Sequence, residues 1–326
     1  MSNNKKPTLK LVLGASSIGD KSINPLARFS SPREINSLLD LFASHGYNQL
    51  DTSNLYFTSE ANLGSVEAGS KFIIDTKVGS YDPQHGPHTK ENILEQIDVS
   101  LDALRVKQVN TYYLHIPDRV NPFEPACEAM DQIQKAGKIK QWGLSNYTAK
   151  EVQEILDICE EKGFLKPSVY QGHYNAVVRS GEAELFPILR KNGIAFYAYS
   201  ASGAGFFAGN HKNIQPAGRF DESTLVGKHY RSLYLEPSIM AAAEEAVRVA
   251  AQYDINGHAA ALRWTAFHSV LDPNQSDAIV LGASSTAQMA SNLKAIEDGP
   301  LPPPVVSSFE AIYSSINKES QAPYHM

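Results

Sequence analysis

Four side chains raise the chemical question in this 326-residue sequence: Asp51, Tyr56, Lys77 and His115, each at or just beyond the end of a short apolar stretch. A phenol with an ordinary pKa of about 10 keeps its proton at neutral pH but yields it sluggishly. An ammonium beside it stabilises the phenolate and makes the phenol a usable acid, and a carboxylate can hold that ammonium in place and charged. In such a group Tyr56 is the candidate proton donor, Lys77 its activator and Asp51 the anchor of the lysine. His115 would orient or polarise a bound carbonyl. Singly, each residue has a plainer reading: a helix cap, a solvated lysine, a packed histidine. They become a site only if the fold brings them to one place.

The elements that must do so are legible as alternating patterns. Eight stretches rich in Val, Ile, Tyr and Leu read as strands: Lys10 to Gly14, Asn48 to Thr52, Phe72 to Val78, Asn110 to His115, Lys140 to Ser145, Ser168 to His173, Ile194 to Ser200 and Asp277 to Gly282. Helical patterns lie between most of them. Ser31, Pro32 and Glu34 open the first with a capping box, and Gly46 follows its end. Ile93, Ile97, Leu101 and Leu104 form one stripe of a helix over about Thr89 to Arg105, and Thr148 with Glu151 opens another that runs to Gly163. Further patterns cover roughly Glu124 to Ala136, Ala183 to Lys191, Ile239 to Tyr253, Ala259 to His268 and Ala287 to Glu297.

Strand–helix alternation of this kind means parallel strands joined by crossovers, and eight units predict a single-domain (β/α)8 TIM barrel, with a doubly wound sheet as the other possibility. The interval before the last strand is too long for one crossover helix and is expected to be a long loop plus helices at about 201–270. The tail at about 300–326 is expected to be irregular.

In a barrel the chemistry gathers at the carboxyl ends of the strands. Besides the first four groups, those ends carry Ser145 and Asn146, Gln171, Tyr199 and Ser200, and the turn Gly282-Ala-Ser-Ser285. Tyr199 offers a face to a flat ring. The small-residue turn leading into a helix is a ready anion site, or equally an ordinary capped turn. Arg219 and Arg231, in the long interval, either contact an anionic ligand or face water. Phe57, Tyr81, Phe206, Phe207 and Tyr230 are candidates for an apolar pocket, with core packing as the equal alternative.

Other function classes fare worse. A net charge of -6 and a pI near 5.9 argue against a nucleic-acid footprint. No apolar run reaches the length of a membrane span, and Met1 to Lys10 is polar, so a cytoplasmic protein is expected. Cys127 and Cys159 read as reduced packing thiols, and the scattered histidines show no metal-ligand spacing. Gly203-Ala-Gly-Phe-Phe-Ala208 fits a dinucleotide fingerprint by letter but lies late in the chain without the acidic residue that should follow. Asn146-Tyr-Thr148 and Asn274-Gln-Ser276 are glycosylation sequons by letter only.

The segments Asp51-Thr-Ser-Asn-Leu-Tyr56, Asp75-Thr-Lys77, Tyr112-Tyr-Leu-His115, Gly143-Leu-Ser-Asn146, Tyr170-Gln-Gly-His-Tyr-Asn175 and Phe196-Tyr-Ala-Tyr199 resemble the aldo-keto reductases along nearly the whole chain. The stretch through Glu184-Leu-Phe-Pro187 and the later Gly218-Arg-Phe220 is most similar to the aflatoxin-aldehyde reductase branch. The resemblance implies a barrel that binds NADP(H) without a Rossmann fold and reduces a small-molecule carbonyl substrate, with Asp51, Tyr56, Lys77 and His115 as the catalytic tetrad. It further implies that Ser145, Asn146 and Gln171 hold the carboxamide and that Tyr199 stacks on the nicotinamide. Ser284, Gln288 and Asn292 would contact the adenosine phosphate, with Ser200, Arg219 and Gly282 also on the cofactor. A homodimer is implied by resemblance alone. So is the alternative of an NADPH-binding regulatory subunit of the potassium-channel beta type. Three departures stand out: Gln288 where many members carry a basic residue, the altered loop Ser200 to Ala208, and an ending Pro323-Tyr-His-Met326 in place of an arginine suited to carboxylate substrates.

Overall fold

The computed structural model describes residues 9–80, 86–316 and 318–326. Its eight strands are β1 (Lys10–Gly14), β2 (Gln49–Asp51), β3 (Ile73–Val78), β4 (Val109–Leu114), β5 (Ile139–Ser145), β6 (Val169–His173), β7 (Ala195–Tyr199) and β8 (Ala278–Leu281). All pair in parallel in sequence order, and β1 closes onto β8 with Leu11 opposite Ile279, so the sheet is a closed barrel and the doubly wound alternative is excluded.

Around it run α1 (Pro32–Ser44), α2 (Ser59–Ser65), α3 (Lys90–Leu104), α4 (Phe123–Lys135), α5 (Ala149–Lys162), α6 (Gly181–Lys191), α7 (Leu225–Tyr234), α8 (Pro237–Ala251), α9 (Gly257–Phe267), α10 (Thr286–Glu297) and α11 (Pro303–Ser315). The local signals act as read. Ser31 with Glu34 and Thr148 with Glu151 both form reciprocal capping boxes, and Gly163 ends α5 at φ 69°.

Period-2 alternation divides the apolar residues into two clusters. The larger fills the layer between strands and helices. The smaller (Val12, Tyr113, Val169, Ala195, Tyr197, Ala278 and Val280) lies on the inward faces and forms a belt across the barrel interior. Polar side chains sit above and below this belt.

Two short helices escape the sequence pattern. α2 packs its Gly64 so tightly on α3 that an added Cβ would lie 2.0 Å from the Ala103 carbonyl oxygen. α7 is capped by Thr224 and buries Tyr230, Leu233 and Tyr234. The irregular tail is corrected: α11 occupies Pro303–Ser315 and buries Val305, Phe309 and Ile312. Pro302, Pro303 and Pro304, which argued for a loop, stand at the start of a helix, where the missing N–H has no intrahelical partner to lose. Among the described residues no helix is long and apolar enough to cross a membrane.

Candidate active site

β2 delivers Asp51 at its carboxyl end, and Ser53 then caps a single 3-10 turn, Asn54–Tyr56, by accepting from Leu55 N–H at 3.1 Å. That turn lifts Tyr56 to the mouth, and Phe57 beyond it has φ 55° and is exposed. On β3, Asp75 and Lys77 share the inward face two residues apart.

Lys77 is fully buried. Its Nζ donates to Asp51 Oδ2 at 2.6 Å and to the Thr52 carbonyl at 2.8 Å, and it lies 5.1 Å from the centroid of the Tyr56 ring. The second oxygen of Asp51 accepts from Gln171 Nε2 at 2.8 Å. A buried ion pair persists only when its remaining lone pairs and protons are met in this way.

His115 follows β4 and sets its ring edge-on to Tyr56, centroids 5.7 Å apart. Its Nδ1 shares a 2.8 Å hydrogen bond with Ser53 Oγ. Enclosure by protein, then the Lys77 charge, pushes its pKa well below the ordinary value near 6.5, so the ring is neutral at working pH.

The next three strand ends join this group. Asn146, at φ 69°, donates through Nδ2 to the His115 carbonyl at 2.9 Å and to Ser145 Oγ at 3.0 Å. Its Oδ1 accepts from Tyr199 OH at 2.7 Å. Ser145, Asn146, Gln171 and Tyr199 are thereby linked by hydrogen bonds to the Asp51–Lys77–Tyr56–His115 cluster.

A second group stands to one side. Ser200 Oγ and Tyr230 OH are 3.1 Å apart, while Arg219 lies over the Tyr230 ring at 5.5 Å and reaches Ser16 Oγ at 3.3 Å. Arg231 is apart from it, paired with Glu222 at 3.4 Å.

The third group closes the turn after β8. Ser285, rather than Ser284, caps α10 by accepting from Gln288 N–H, and the Gln288 amide oxygen folds back to accept from Ser284 N–H at 2.6 Å and Ser284 Oγ at 2.8 Å. Asn292 is buried at the root of the turn, donating to the Gly282 carbonyl at 3.2 Å and accepting from His258 Nε2 at 2.8 Å. A small-residue turn into a helix, an amide cluster and the face of a phenol ring are the groups that a nicotinamide nucleotide needs, so the residues present fit that group.

Of the pocket candidates among the described residues, Phe57 alone is exposed. Tyr230 packs near His173; Phe206 stacks on Tyr234 and Phe207 meets Phe309, both lining a groove of about 740 Å³ along α8. Tyr81 lies outside the described residues. Gly203–Gly205 forms a 3-10 turn. Sequence reading passed over Thr52 and Ser53, which hold Lys77 and His115, and over His173, Asn175 and Tyr234. Strand alternation could have found His173, two positions after Gln171 on the same inward face.

With this geometry in hand, the comparisons with known proteins agree. Residues 10–314 match the aldo/keto reductase family model. An aldo-keto reductase of Pseudocercospora fijiensis is 36% identical over 88% of this chain and 99% of its own. The oxidoreductase sirO of Leptosphaeria maculans is 35% identical over 87% of each chain. Human aflatoxin B1 aldehyde reductase member 2 is 34% identical over 98% of this chain and 90% of its own. The chain belongs to the aldo/keto reductase family. Kinship with aldehyde reductases supports carbonyl reduction as the chemistry of this oxidoreductase, and the family generally uses NAD(P)H.

Proposed function

We propose that the protein reduces an aldehyde or ketone to an alcohol with NADPH, and that Tyr56 is the general acid. The observation that carries this reading is Lys77, buried, 2.6 Å from Asp51 Oδ2 and 5.1 Å from the Tyr56 ring. Two of the three ammonium protons go to Asp51 and the Thr52 carbonyl. The third is left for the phenol oxygen, where it stabilises the phenolate that forms as Tyr56 gives its proton to the substrate oxygen. Asp51 anchors the lysine, and Gln171 keeps Asp51 from turning away.

Neutral His115, steadied through Nδ1 by Ser53, presents its other nitrogen to the substrate oxygen as a hydrogen-bond donor. A dinucleotide bound here would supply the hydride that the carbonyl carbon accepts. Ser145, Asn146 and Gln171 would hold its carboxamide, and Tyr199 would offer a ring face to the nicotinamide. Ser200, Arg219 and Gly282 would serve its pyrophosphate, and Ser284, Gln288 and Asn292 its adenosine end. Exposed Phe57 beside the mouth favours an apolar substrate.

The test follows loss of reduced-cofactor absorbance with nitrobenzaldehyde, with NADPH and NADH run in parallel. Tyr56→Phe is expected to lower kcat by about 10²- to 10⁴-fold while still binding NADPH. Undiminished turnover in that variant would sink the role of Tyr56. Tight NADPH binding by the wild type with no turnover on any carbonyl would favour a cofactor-binding regulatory subunit instead.

A further inference from the structure

His173 takes no part in the chemistry above, yet it occupies a central place behind it. It is the last residue of β6, pairs across the sheet with Tyr199 of β7, and is 2% exposed. Its ring stacks on Tyr199 with centroids 5.1 Å apart and planes at 29°. Two tyrosines of α7 meet it edge-on, Tyr230 at 6.2 Å and Tyr234 at 5.9 Å.

The hydrogen bonds fix its tautomer. Asn175 Oδ1 accepts from the N–H groups of Val177 at 2.9 Å and Val178 at 3.2 Å, which sets which end of that amide is oxygen. Its Nδ2 therefore donates both to the Ser200 carbonyl and to Tyr234 OH, each at 2.9 Å. With its oxygen already accepting, Tyr234 sends its own proton to His173 Nε2, 2.7 Å away, and the imidazole proton sits on Nδ1. Burial pushes the His173 pKa down to about 3, so the ring is neutral and this arrangement persists at any working pH.

Tyr199 is thus held twice: its hydroxyl is tied to Asn146 and one face of its ring lies on His173. The other face is the one left for a flat ligand, and Tyr199 retains partial exposure. We infer that His173 is a positioning residue for the cofactor: clamped by Tyr234 and Asn175, it sets the plane of Tyr199 and through it the pose of the nicotinamide. The long insert before β8 then has a defined task, since α7 carries the hydroxyl that locks His173. This inference rests on the reading of Tyr199 as the nicotinamide platform.

The test compares binding of NADPH with that of adenosine 2′,5′-bisphosphate, a fragment without nicotinamide, by titration calorimetry on the full chain. His173→Leu removes the ring, His173→Phe keeps a stacking face but cannot accept from Tyr234, and Tyr234→Phe removes only the locking hydroxyl. His173→Leu is expected to weaken NADPH binding on the order of fivefold while fragment affinity stays within about twofold; His173→Phe recovers most of the loss. Tyr234→Phe shifts NADPH affinity in the same direction by about twofold and serves as the deciding variant if His173→Leu does not fold. NADPH affinity unchanged in these variants, or NADPH and fragment weakened in parallel, overturns the inference. Wild-type protein that binds the fragment but gains nothing from the nicotinamide half overturns the platform reading itself, and is told apart because it needs no variant.

Discussion

Two carboxylates face each other across β2 and β3, Asp51 opposite Asp75 in register, and the barrel treats them in opposite ways. Asp51 is answered by a full positive charge on Lys77. Asp75, one layer below Lys77 and completely buried, is answered only by neutral donors: Gln49 Nε2 at 2.5 Å, Asn110 Nδ2 at 2.8 Å and the Thr111 N–H at 3.0 Å. Burial, with a smaller contribution from the Asp51 charge, pushes Asp75 up to about 6, so the lower carboxyl can give up its charge. The upper one is paired directly with the Lys77 ammonium. The difference follows the division of labour in this fold, with chemistry at the carboxyl ends of the strands and stability at the other face. Charge is matched by charge at the proposed site of proton transfer, and by neutral amides one layer below it.

Lys77→Met should break the comparison most severely. It takes the cation from beside Tyr56 and strands Asp51 as a buried, unpaired charge, which costs about 3–5 kcal/mol of stability. Turnover should fall at least as far as the 10²-fold expected for loss of the acid. Asp75→Asn should do the reverse. A carboxyl whose folded pKa is raised binds its proton more tightly when folded. Its stabilising protonation is complete below the unfolded pKa of about 4 and is lost as pH rises through about 6. The asparagine, with the Gln49 amide turned to present its oxygen, escapes that loss. The variant should therefore gain up to about 3 kcal/mol above pH 6, and the gain should vanish toward pH 4, while turnover stays within about twofold. Thermal melts at pH 4, 6 and 8 read this directly. A variant destabilised at pH 8 would mean that Asp75 needs its charge after all.

The upper end was largely legible in the sequence because strand ends announce themselves. Asp51, Lys77, His115, Asn146, Gln171 and Tyr199 close apolar runs, and a barrel collects whatever stands there. All eight strands came from the same patterning. Less legible was whatever depends on a contact distant in the chain. α7 is short, and what holds it is the burial of Tyr230 and Tyr234 against His173 of β6, which no local period records. α11 hid behind prolines whose usual meaning is reversed at a helix start. Gln288 offered a different difficulty: its amide oxygen is anchored by Ser284 N–H and Oγ, so its Nε2 end is the one that can donate to an anion, an arrangement only coordinates reveal.

The smallest effect expected sharpens the comparison from the side of His115. The Lys77 charge proposed to serve Tyr56 also acts on this ring: after enclosure itself it is the next cause holding the His115 pKa far below the ordinary value. A histidine left near 6.5 would gain a proton on the acid side of neutrality and add a second charge beside Lys77. Here it should not. With an uncharged aldehyde and saturating NADPH, kcat/KM should show no inflection near pH 6.5 that His115→Gln abolishes, since the His115 ring is held well below the ordinary imidazole range. A step near 6.5 in the wild type that disappears in His115→Gln would show the ring to be cationic, and would remove the neutral donor from the proposed polarisation of the carbonyl.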